Sequence, residues 1–299
     1  MRFVIAGASG FLGQAWARNL TEHGHEVVRL VRRDPSSPDE SRWDPAAGTV
    51  DQSVIDAADV VANLAGTSNL HFPWTERYKR EFLESRVGTT RVLAEAIARS
   101  ERRPAFLAQS GISAYGDHGA EVIDEETPTD APTFMGEVVR QWEQAAEPAA
   151  AAGARVALMR TAPVLDRRAG AMKVMLIPFR LGAGAAVGSG RQYFPTISLH
   201  DWLGAATYLA SNEELSGPFN ITGPDTSTNL EFTKELARAL HRPAVLKVPG
   251  RPLRLTVGPM AGEMLASVRL EPRRLLRAGY AFAHNDVTDR IQAALRADA

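Results

Sequence analysis

The sequence contains no cysteine. This absence excludes disulfide bonds, catalysis by a thiolate and zinc sites built on sulfur, and it suits a reducing compartment. Long apolar runs are also missing. The run at the start, Phe3 to Ala6, is followed at once by a glycine and is far too short for a signal-peptide core or a membrane span. We therefore expect a cytoplasmic protein that is neither exported nor embedded in a membrane.

The sequence also lacks an excess of charge. Lysine and arginine number 34 against 35 acidic residues, which argues against nucleic acid or an anionic membrane as the main partner. The scattered histidines show no metal-ligand spacing, so no metal is expected. A small molecule is the expected partner. Monomer and homodimer both stay open, because apolar helix faces suit a core as well as a dimer contact.

Strand and helix patterns alternate through the first part of the chain. Apolar runs predict strands at Phe3–Ala6, Glu26–Val31, Asp59–Leu64, Ala105–Ser110 and Arg155–Arg160. Helical spacing of apolar residues fills the intervals at Phe11–His23, Tyr78–Ile97 and Val138–Ala149. Strands that alternate with helices imply right-handed βαβ units, so the predicted fold class is α/β with a doubly wound, mostly parallel sheet.

A glycine motif follows the first predicted strand and opens the first predicted helix. Gly7, Gly10 and Gly13 stand three residues apart in Gly7-Ala8-Ser9-Gly10-Phe11-Leu12-Gly13. A backbone that approaches a diphosphate needs positions without Cβ, and a helix N-terminus offers unpaired N–H groups. The strand–turn–helix context favours a dinucleotide site, and the alternative is an ordinary tight turn.

The second strand is followed by Arg32, Arg33 and Asp34. In this position an acid binds the ribose 2′-hydroxyl of NAD, whereas arginine suits the 2′-phosphate of NADP. Two guanidinium groups can fork onto a phosphate, so NADP(H) is favoured. Two alternatives stay open: Asp34 serves a NAD ribose if the strand ends later, or the arginines belong to a solvated loop.

Several motifs together resemble those of the extended short-chain dehydrogenases/reductases. They are the Gly7–Gly13 loop, Asn63–Gly66, Ser85–Thr90 and Ser110–Gly116. Further motifs are similar to the atypical, epimerase-like branch, whose members are named nucleoside-diphosphate-sugar epimerases or, less securely, cell-division inhibitors. These are Trp43-Asp44-Pro45, Trp142-Glu143, Gly188–Gln192, and Arg242-Pro243-Ala244 followed by Val248-Pro249.

The resemblance implies a Rossmann-type domain that binds NADP(H) and a smaller mixed α/β C-terminal substrate lobe. It predicts the first domain at 1–165, with 196–222 returning to it, and the substrate lobe at 166–195 and 223–299. It implies that Arg191 contacts a substrate anion, such as the phosphate of a nucleotide-linked substrate. The cofactor residues that it implies are Gly7, Ser9, Gly10, Phe11, Leu12, Gly13, Arg32, Arg33, Asn63, Leu64, Ala65, Gly66 and Ser85.

The catalytic pair of that family, YxxxK, is missing. No tyrosine in the sequence has a lysine four residues later. Aligning Glu143 with the family's downstream glutamate puts Met135 in the place of the tyrosine and Val139 in the place of the lysine. The position of the family's catalytic serine aligns with Gly111.

Three hydroxyl side chains near Gly111 remain as candidate catalytic groups: Ser110, Ser113 and Tyr115. They lie at the C-terminal end of a predicted strand, the edge at which open α/β sheets bind ligands. The alternative for Tyr115 is a packed side chain whose hydroxyl bonds to backbone. The leading hypothesis is an NADP(H)-binding oxidoreductase or epimerase-like enzyme, and the alternative is a catalytically silent sensor or scaffold that keeps the nucleotide site.

Overall fold

The computed structural model describes residues 1–250, 253 and 260–296, so residues 251–252, 254–259 and 297–299 of the predicted substrate lobe lie outside the described residues. The strands are β1 Arg2–Ala6, β2 Glu26–Val31, β3 Glu40–Asp44, β4 Thr49–Val50, β5 Val60–Asn63, β6 Ala105–Gly111, β7 Val122–Ile123, β8 Val156–Thr161, β9 Val164–Leu165, β10 Ala185–Val187, β11 Ile197–Ser198, β12 Gly217–Ile221, β13 Leu246–Val248 and β14 Arg269–Leu270. The helices are α1 Phe11–Glu22, α2 Gln52–Asp56, α3 Glu76–Arg99, α4 Phe134–Gln144, α5 Glu147–Ala151, α6 Gly170–Arg180, α7 Leu199–Ser211, α8 Asn229–Ala239, α9 Met260–Leu265, α10 Arg273–Arg277 and α11 Val287–Arg296.

One large sheet organises the molecule. Its strands lie in the order β12, β8, β6, β5, β1, β2, β3 and β4, and every neighbouring pair is parallel except β3 with β4. The chain travels outward from β1 in one direction through β2 and β3, then restarts on the other side with β5. Open α/β sheets bind ligands where the order reverses in this way, outside the carboxyl ends of the strands. The predicted α/β class with a mostly parallel sheet is confirmed.

Side chains of β1 alternate between two core layers. Phe3 and Ile5 pack on one face with Trp16 of α1 and with α7, whereas Val4 packs on the other face with the long helix α3. Both faces of the strand are buried, which explains why the run Phe3–Ala6 is continuously apolar. The sheet is therefore covered on both sides, as parallel sheets require.

Two of the differences between the structure and the predicted elements have a local physical reason. The strand β3 was not predicted, because its outward Glu40, Arg42 and Asp44 interrupt the apolar pattern that the buried Ser41 and Trp43 carry. The predicted helix Val138–Ala149 is two helices, α4 and α5. The proline at the start of α5, Pro148, has no N–H to continue the earlier helix and suits a new first turn.

A separate apolar cluster lies among α6, α8 and α11, around the fully buried Leu176, Leu236 and Ile291. The predicted lobe boundaries stay a prediction. In the described ranges, 1–250, 253 and 260–296, no helix has the length and apolar character needed to cross a membrane.

Candidate functional site

The glycine loop brings three backbone segments into direct contact. Gly7 has a φ of +78°, and a Cβ there would lie 2.5 Å from the carbonyl carbon of Leu64. A Cβ at Gly13 would lie 2.3 Å from the Gly7 carbonyl oxygen. Gly10 donates its N–H to that same oxygen at 2.9 Å, which closes the turn before α1 begins. The loop is therefore a cradle that side chains would fill, as a site for a dinucleotide diphosphate requires.

A cavity of about 1380 Å³ opens beside this loop, at the carboxyl ends of β1, β2 and β5. The predicted cofactor residues that line it are Gly7, Ser9, Gly10, Arg32, Arg33, Leu64, Ala65, Gly66 and Ser85. The other predicted cofactor residues, Phe11, Leu12, Gly13 and Asn63, are not among its lining residues. The glycine loop and both arginines line this one cavity, so its lining fits a dinucleotide.

Asn63 is fully buried behind the cavity. Its amide nitrogen donates to the Thr90 hydroxyl at 2.8 Å, and its amide oxygen accepts the N–H of Ala65 at 3.0 Å. The side chain therefore fixes the turn from Leu64 to Gly66 from behind. A residue that the sequence analysis did not single out, Arg86, fixes the next part of the turn by donating to the Thr67 carbonyl at 3.0 Å.

The two arginines after β2 have different surroundings. Arg33 forks onto the Glu40 carboxylate at 2.8 and 2.7 Å, and this hydrogen bonding lowers the pKa of Glu40 to about 2. Asp34 is exposed and accepts from Arg42 at 2.7 Å. Arg32 is exposed at the cavity wall, and within the described part of the chain its guanidinium has no hydrogen-bond or ion-pair partner.

Ser110 belongs to a buried polar network. Its hydroxyl donates to Glu143 at 2.6 Å, and Arg160 forks onto the same carboxylate with two contacts of 2.8 Å. Arg160 also donates to the Tyr115 hydroxyl at 2.8 Å, and that hydroxyl donates to the Asn220 side chain at 2.8 Å. Sequence reasoning missed this network, although an arginine inside the apolar strand β8 is a signal for a buried ion pair.

Tyr115 is packed behind the loop, but its hydroxyl bonds to side chains rather than to backbone. It is 2% exposed, and burial raises the pKa of its phenol to about 12, with the neighbouring Arg160 charge opposing part of the rise. The phenol therefore stays protonated at neutral pH and has both a donor and an acceptor partner. Ser113 lies in the short 3-10 turn Ile112–Ala114 and is partly exposed.

Two of the positions aligned with the missing catalytic groups, Gly111 and Val139, lie side by side, and Met135 stands one helical turn before Val139. Met135 and Val139 are buried on α4. A Cβ at Gly111 would lie 3.5 Å from a methyl carbon of Val139. This corner of the site, formed by Gly111, Met135 and Val139, is therefore apolar where the family pattern has hydroxyl and amine groups.

The helix α9 packs near this corner through its first residue, Met260, which contacts the apolar cluster that contains Met135. Glu263 lies on the same helix and was not singled out by the sequence analysis. Burial raises the pKa of the Glu263 carboxyl, and the neighbouring Ser113 side chain opposes part of the rise.

Arg191 is exposed on the loop after β10, and its backbone N–H donates to the Ser189 hydroxyl at 3.1 Å. It does not line the large cavity. Of the residues that the structure describes, no group of three or more histidine, aspartate or glutamate side chains is arranged to hold a metal ion.

Comparison with known proteins agrees with this geometry. Residues 3–166 match the NAD dependent epimerase/dehydratase family, and residues 248–296 match a domain of unknown function, DUF1731. The chain is 38% identical to an epimerase family protein of Mycobacterium leprae over 289 residues, which are 96% of this chain and 94% of that protein. The chain therefore belongs to the epimerase/dehydratase family of extended short-chain dehydrogenases/reductases, as its motifs predict.

Solved structures extend the comparison. The crystal structure of human epimerase family protein SDR39U1 with NADPH is similar with a TM-score of 0.89 and 32% identity, and the match covers 99% of this chain and 100% of that chain. The Thermus thermophilus UDP-glucose 4-epimerase in complex with NAD is similar with a TM-score of 0.73, and the match covers 100% of both chains. At 18% identity, that second likeness shows the fold alone.

Proposed function

We propose that this chain is a cytoplasmic, NADP(H)-dependent oxidoreductase or epimerase-like enzyme acting on a small carbonyl or alcohol substrate. The observation that carries the proposal is the cavity beside the glycine loop, with the exposed Arg32 guanidinium on its wall. The NADPH in the human relative supports the same cofactor.

The residues of the cavity fit NADP(H) part by part. The N–H groups at the start of α1 have no side-chain cap and suit the diphosphate. Arg32 suits the 2′-phosphate, because its guanidinium is exposed, whereas Arg33 is already paired with Glu40. The turn from Leu64 to Gly66 and Ser85 line the cavity beyond the diphosphate cradle. The cofactor, when bound, supplies a hydride.

Calorimetric titration tests the cofactor assignment. Losing a charged hydrogen bond of about 1.5–3 kcal/mol in Arg32→Ala should weaken NADPH binding by roughly 10- to 150-fold and leave NADH binding nearly unchanged. The matched control is Arg42→Ala, which removes a nearby arginine that does not line the cavity. Equal NADPH affinity in Arg32→Ala and wild type, or a preference of the wild type for NADH, would overturn the assignment.

The substrate is proposed only by class. Arg191 is an exposed cation on the second lobe, and we assign it to an anionic group such as the phosphate of a nucleotide-linked substrate. Adding nucleotide sugars and small carbonyl compounds to the NADPH-loaded protein, and following the loss of NADPH absorbance, tests this assignment. Turnover of nucleotide sugars that Arg191→Ala weakens through KM would support it, and an unchanged KM would contradict it.

The apolar corner favours a second candidate function, a sensor of the NADP(H) pool that performs no chemistry. Met135 and Val139 stand buried where the family pattern has its tyrosine and lysine, and Ser110 is engaged with Glu143. This candidate predicts NADPH binding without turnover of any carbonyl compound or nucleotide sugar in the panel.

A further inference from the structure

Arg86, on α3, is a partly buried cation close to the candidate site. Burial lowers the pKa of its guanidinium to about 10. Its hydrogen-bond acceptors in the described part of the chain are all neutral: the Phe82 carbonyl at 3.1 Å, the Thr67 carbonyl at 3.0 Å and the Ser85 hydroxyl at 3.4 Å. The guanidinium also lies over the Phe82 ring, 3.5 Å from its centroid. Among the described residues, Arg86 therefore has no carboxylate partner for its charge.

Other arginines near the site do have carboxylate partners. Arg33 pairs with Glu40 at the cavity wall, and Arg160 pairs with Glu143 in the buried network. A charge that is withdrawn from water is costly unless an opposite charge compensates it. The carbonyl groups and the aromatic ring around Arg86 offset part of this cost, and a bound anion would offset the rest.

The guanidinium of Arg86 lies directly behind the wall of the cofactor cavity. A Cβ at Gly66 would lie 3.3 Å from its central carbon and 3.4 Å from each terminal nitrogen, so the flat face of the guanidinium packs against Gly66. Gly66 lines the cavity, and so do Thr67 and Ser85, which accept hydrogen bonds from Arg86. Because Gly66 has no side chain, only backbone lies between the charge and the cavity at this point.

The turn in front of Arg86 also touches the glycine loop. A Cβ at Gly7 would lie 2.5 Å from the Leu64 carbonyl carbon and 2.6 Å from the Ala65 nitrogen, and Gly66 is the next residue of the turn. A phosphate group seated between the loop and the turn would have the N–H groups of α1 on one side and the Arg86 charge on the other. Opposite charges attract across several ångströms without a hydrogen bond, and more strongly where protein replaces water.

We infer that Arg86 is a positioning residue whose charge, set behind the turn of Gly66 and Thr67, holds a phosphate group of the ligand in the cavity. The inference rests on the proposed NADP(H) site. Arg86 acts through the turn rather than by contact, because its N–H groups are engaged with the Thr67 and Phe82 carbonyls. Two sources supply the same chemistry, the diphosphate of the cofactor and the phosphate of a nucleotide-linked substrate, and the test separates them.

Calorimetric titration of the whole protein with sodium diphosphate, NADH and NADPH tests the inference. Arg86→Gln removes the charge and should weaken all three ligands by a similar factor, roughly 5- to 50-fold for unit charges about 7 Å apart in protein. Arg32→Ala should weaken NADPH alone, because only NADPH carries the 2′-phosphate. The matched control is Arg155→Gln, which should keep every wild-type Kd. Arg155 is also partly buried and donates to three backbone carbonyls, but it lies near the end of α7 and does not line the cavity.

A second variant distinguishes a charge from a purely structural tie. Arg86→Lys keeps the positive charge but loses the planar fork, whereas Arg86→Gln keeps one donor for the Thr67 carbonyl and loses the charge. The inference predicts tighter binding of all three ligands to Arg86→Lys than to Arg86→Gln. In the wild type, the ¹⁵N signal of the Arg86 guanidinium should shift when NADPH is added or when UDP-glucose is added to the NADPH complex, and this readout needs no variant to fold.

The outcomes separate the two phosphate sources. Equal weakening of diphosphate, NADH and NADPH in Arg86→Gln assigns the phosphate to the cofactor, and weakening of UDP-glucose alone, added to the NADPH complex, assigns it to the substrate. Unchanged affinity for all four ligands, equal weakening in Arg86→Lys and Arg86→Gln, or a wild-type ¹⁵N signal that neither NADPH nor UDP-glucose moves would overturn the inference and leave the cofactor assignment standing. Absence of NADPH binding to the wild type would overturn the proposed function, and the inference with it.

Discussion

The buried pair of Glu143 and Arg160 makes a prediction about stability that depends only on the fold. The two side chains are 14% and 7% exposed and meet through two hydrogen bonds of 2.8 Å. Replacing Glu143 by glutamine keeps its size but leaves the Arg160 charge buried without a counter-charge. Removing one partner of a buried ion pair typically costs about 3–5 kcal/mol. We expect the free energy of unfolding of Glu143→Gln to fall by that amount.

The same helix offers a matched control. Glu137, also on α4, pairs with Arg140, and their side chains are 51% and 36% exposed. The chemically identical change Glu137→Gln should cost only about 0–1 kcal/mol, because water screens exposed pairs. Urea unfolding followed by tryptophan fluorescence measures both variants, provided that the m-value stays constant.

The double variant Glu143→Gln/Arg160→Met sharpens the test. If the cost of Glu143→Gln comes from a stranded cation, removing the cation should restore part of the lost stability. Two results would refute this reasoning: equal costs for Glu143→Gln and Glu137→Gln, or a double variant less stable than the sum of the two single changes implies.

Three further predictions concern the glycine loop, the Glu40 carboxyl that pairs with Arg33, and the Tyr115 phenol. In Gly13→Ala the new Cβ would lie 2.3 Å from a backbone oxygen, so the free energy of unfolding should fall by about 1–3 kcal/mol and calorimetry should show weaker NADPH binding. The control Gly88→Ala should keep the wild-type free energy of unfolding, because its Cβ meets only a side-chain oxygen at 3.6 Å. The pKa of Glu40, lowered to about 2, gives a stabilising contribution that is present above its ordinary 4.5 and is lost as the pH falls toward 2. In thermal melts, the Tm of Glu40→Gln should therefore fall less than the Tm of wild type as the pH is lowered through that window. Tyr115→Phe removes a hydrogen bond from each of two buried partners, Asn220 and Arg160, so the free energy of unfolding should fall by about 1–3 kcal/mol. The Kd for NADPH should stay unchanged.

The first βα unit could be predicted from the sequence because its signals are local. The apolar run Phe3–Ala6, the glycines and the helical spacing after Phe11 all lie within the element that they specify. The strand β3 could not, because Glu40, Arg42 and Asp44 alternate with its two buried residues, and Trp43 is the only apolar residue among the five. Pro148 is a local signal for the break between α4 and α5. The sequence nevertheless predicts one helix there, because the alanines on either side of Pro148 continue the helical spacing.

The cofactor side of the candidate site was predictable for the same reason: Gly7, Arg32 and Ala65 each stand just after a strand that ends at the cavity. The polar network was not, because Ser110 and Glu143 come from different elements, and Tyr115 meets Asn220 across 105 positions of the chain.

The apolar corner separates the two candidate functions by their need for a proton donor. Met135 and Val139 place buried apolar side chains where the family pattern has a phenol and an amine. The hydroxyls of Ser110 and Tyr115 are buried, and each donates to a neighbouring side chain. An enzyme built on this site therefore needs a proton donor other than these groups, whereas a sensor needs none, so turnover in the NADPH-loaded protein decides between the two functions.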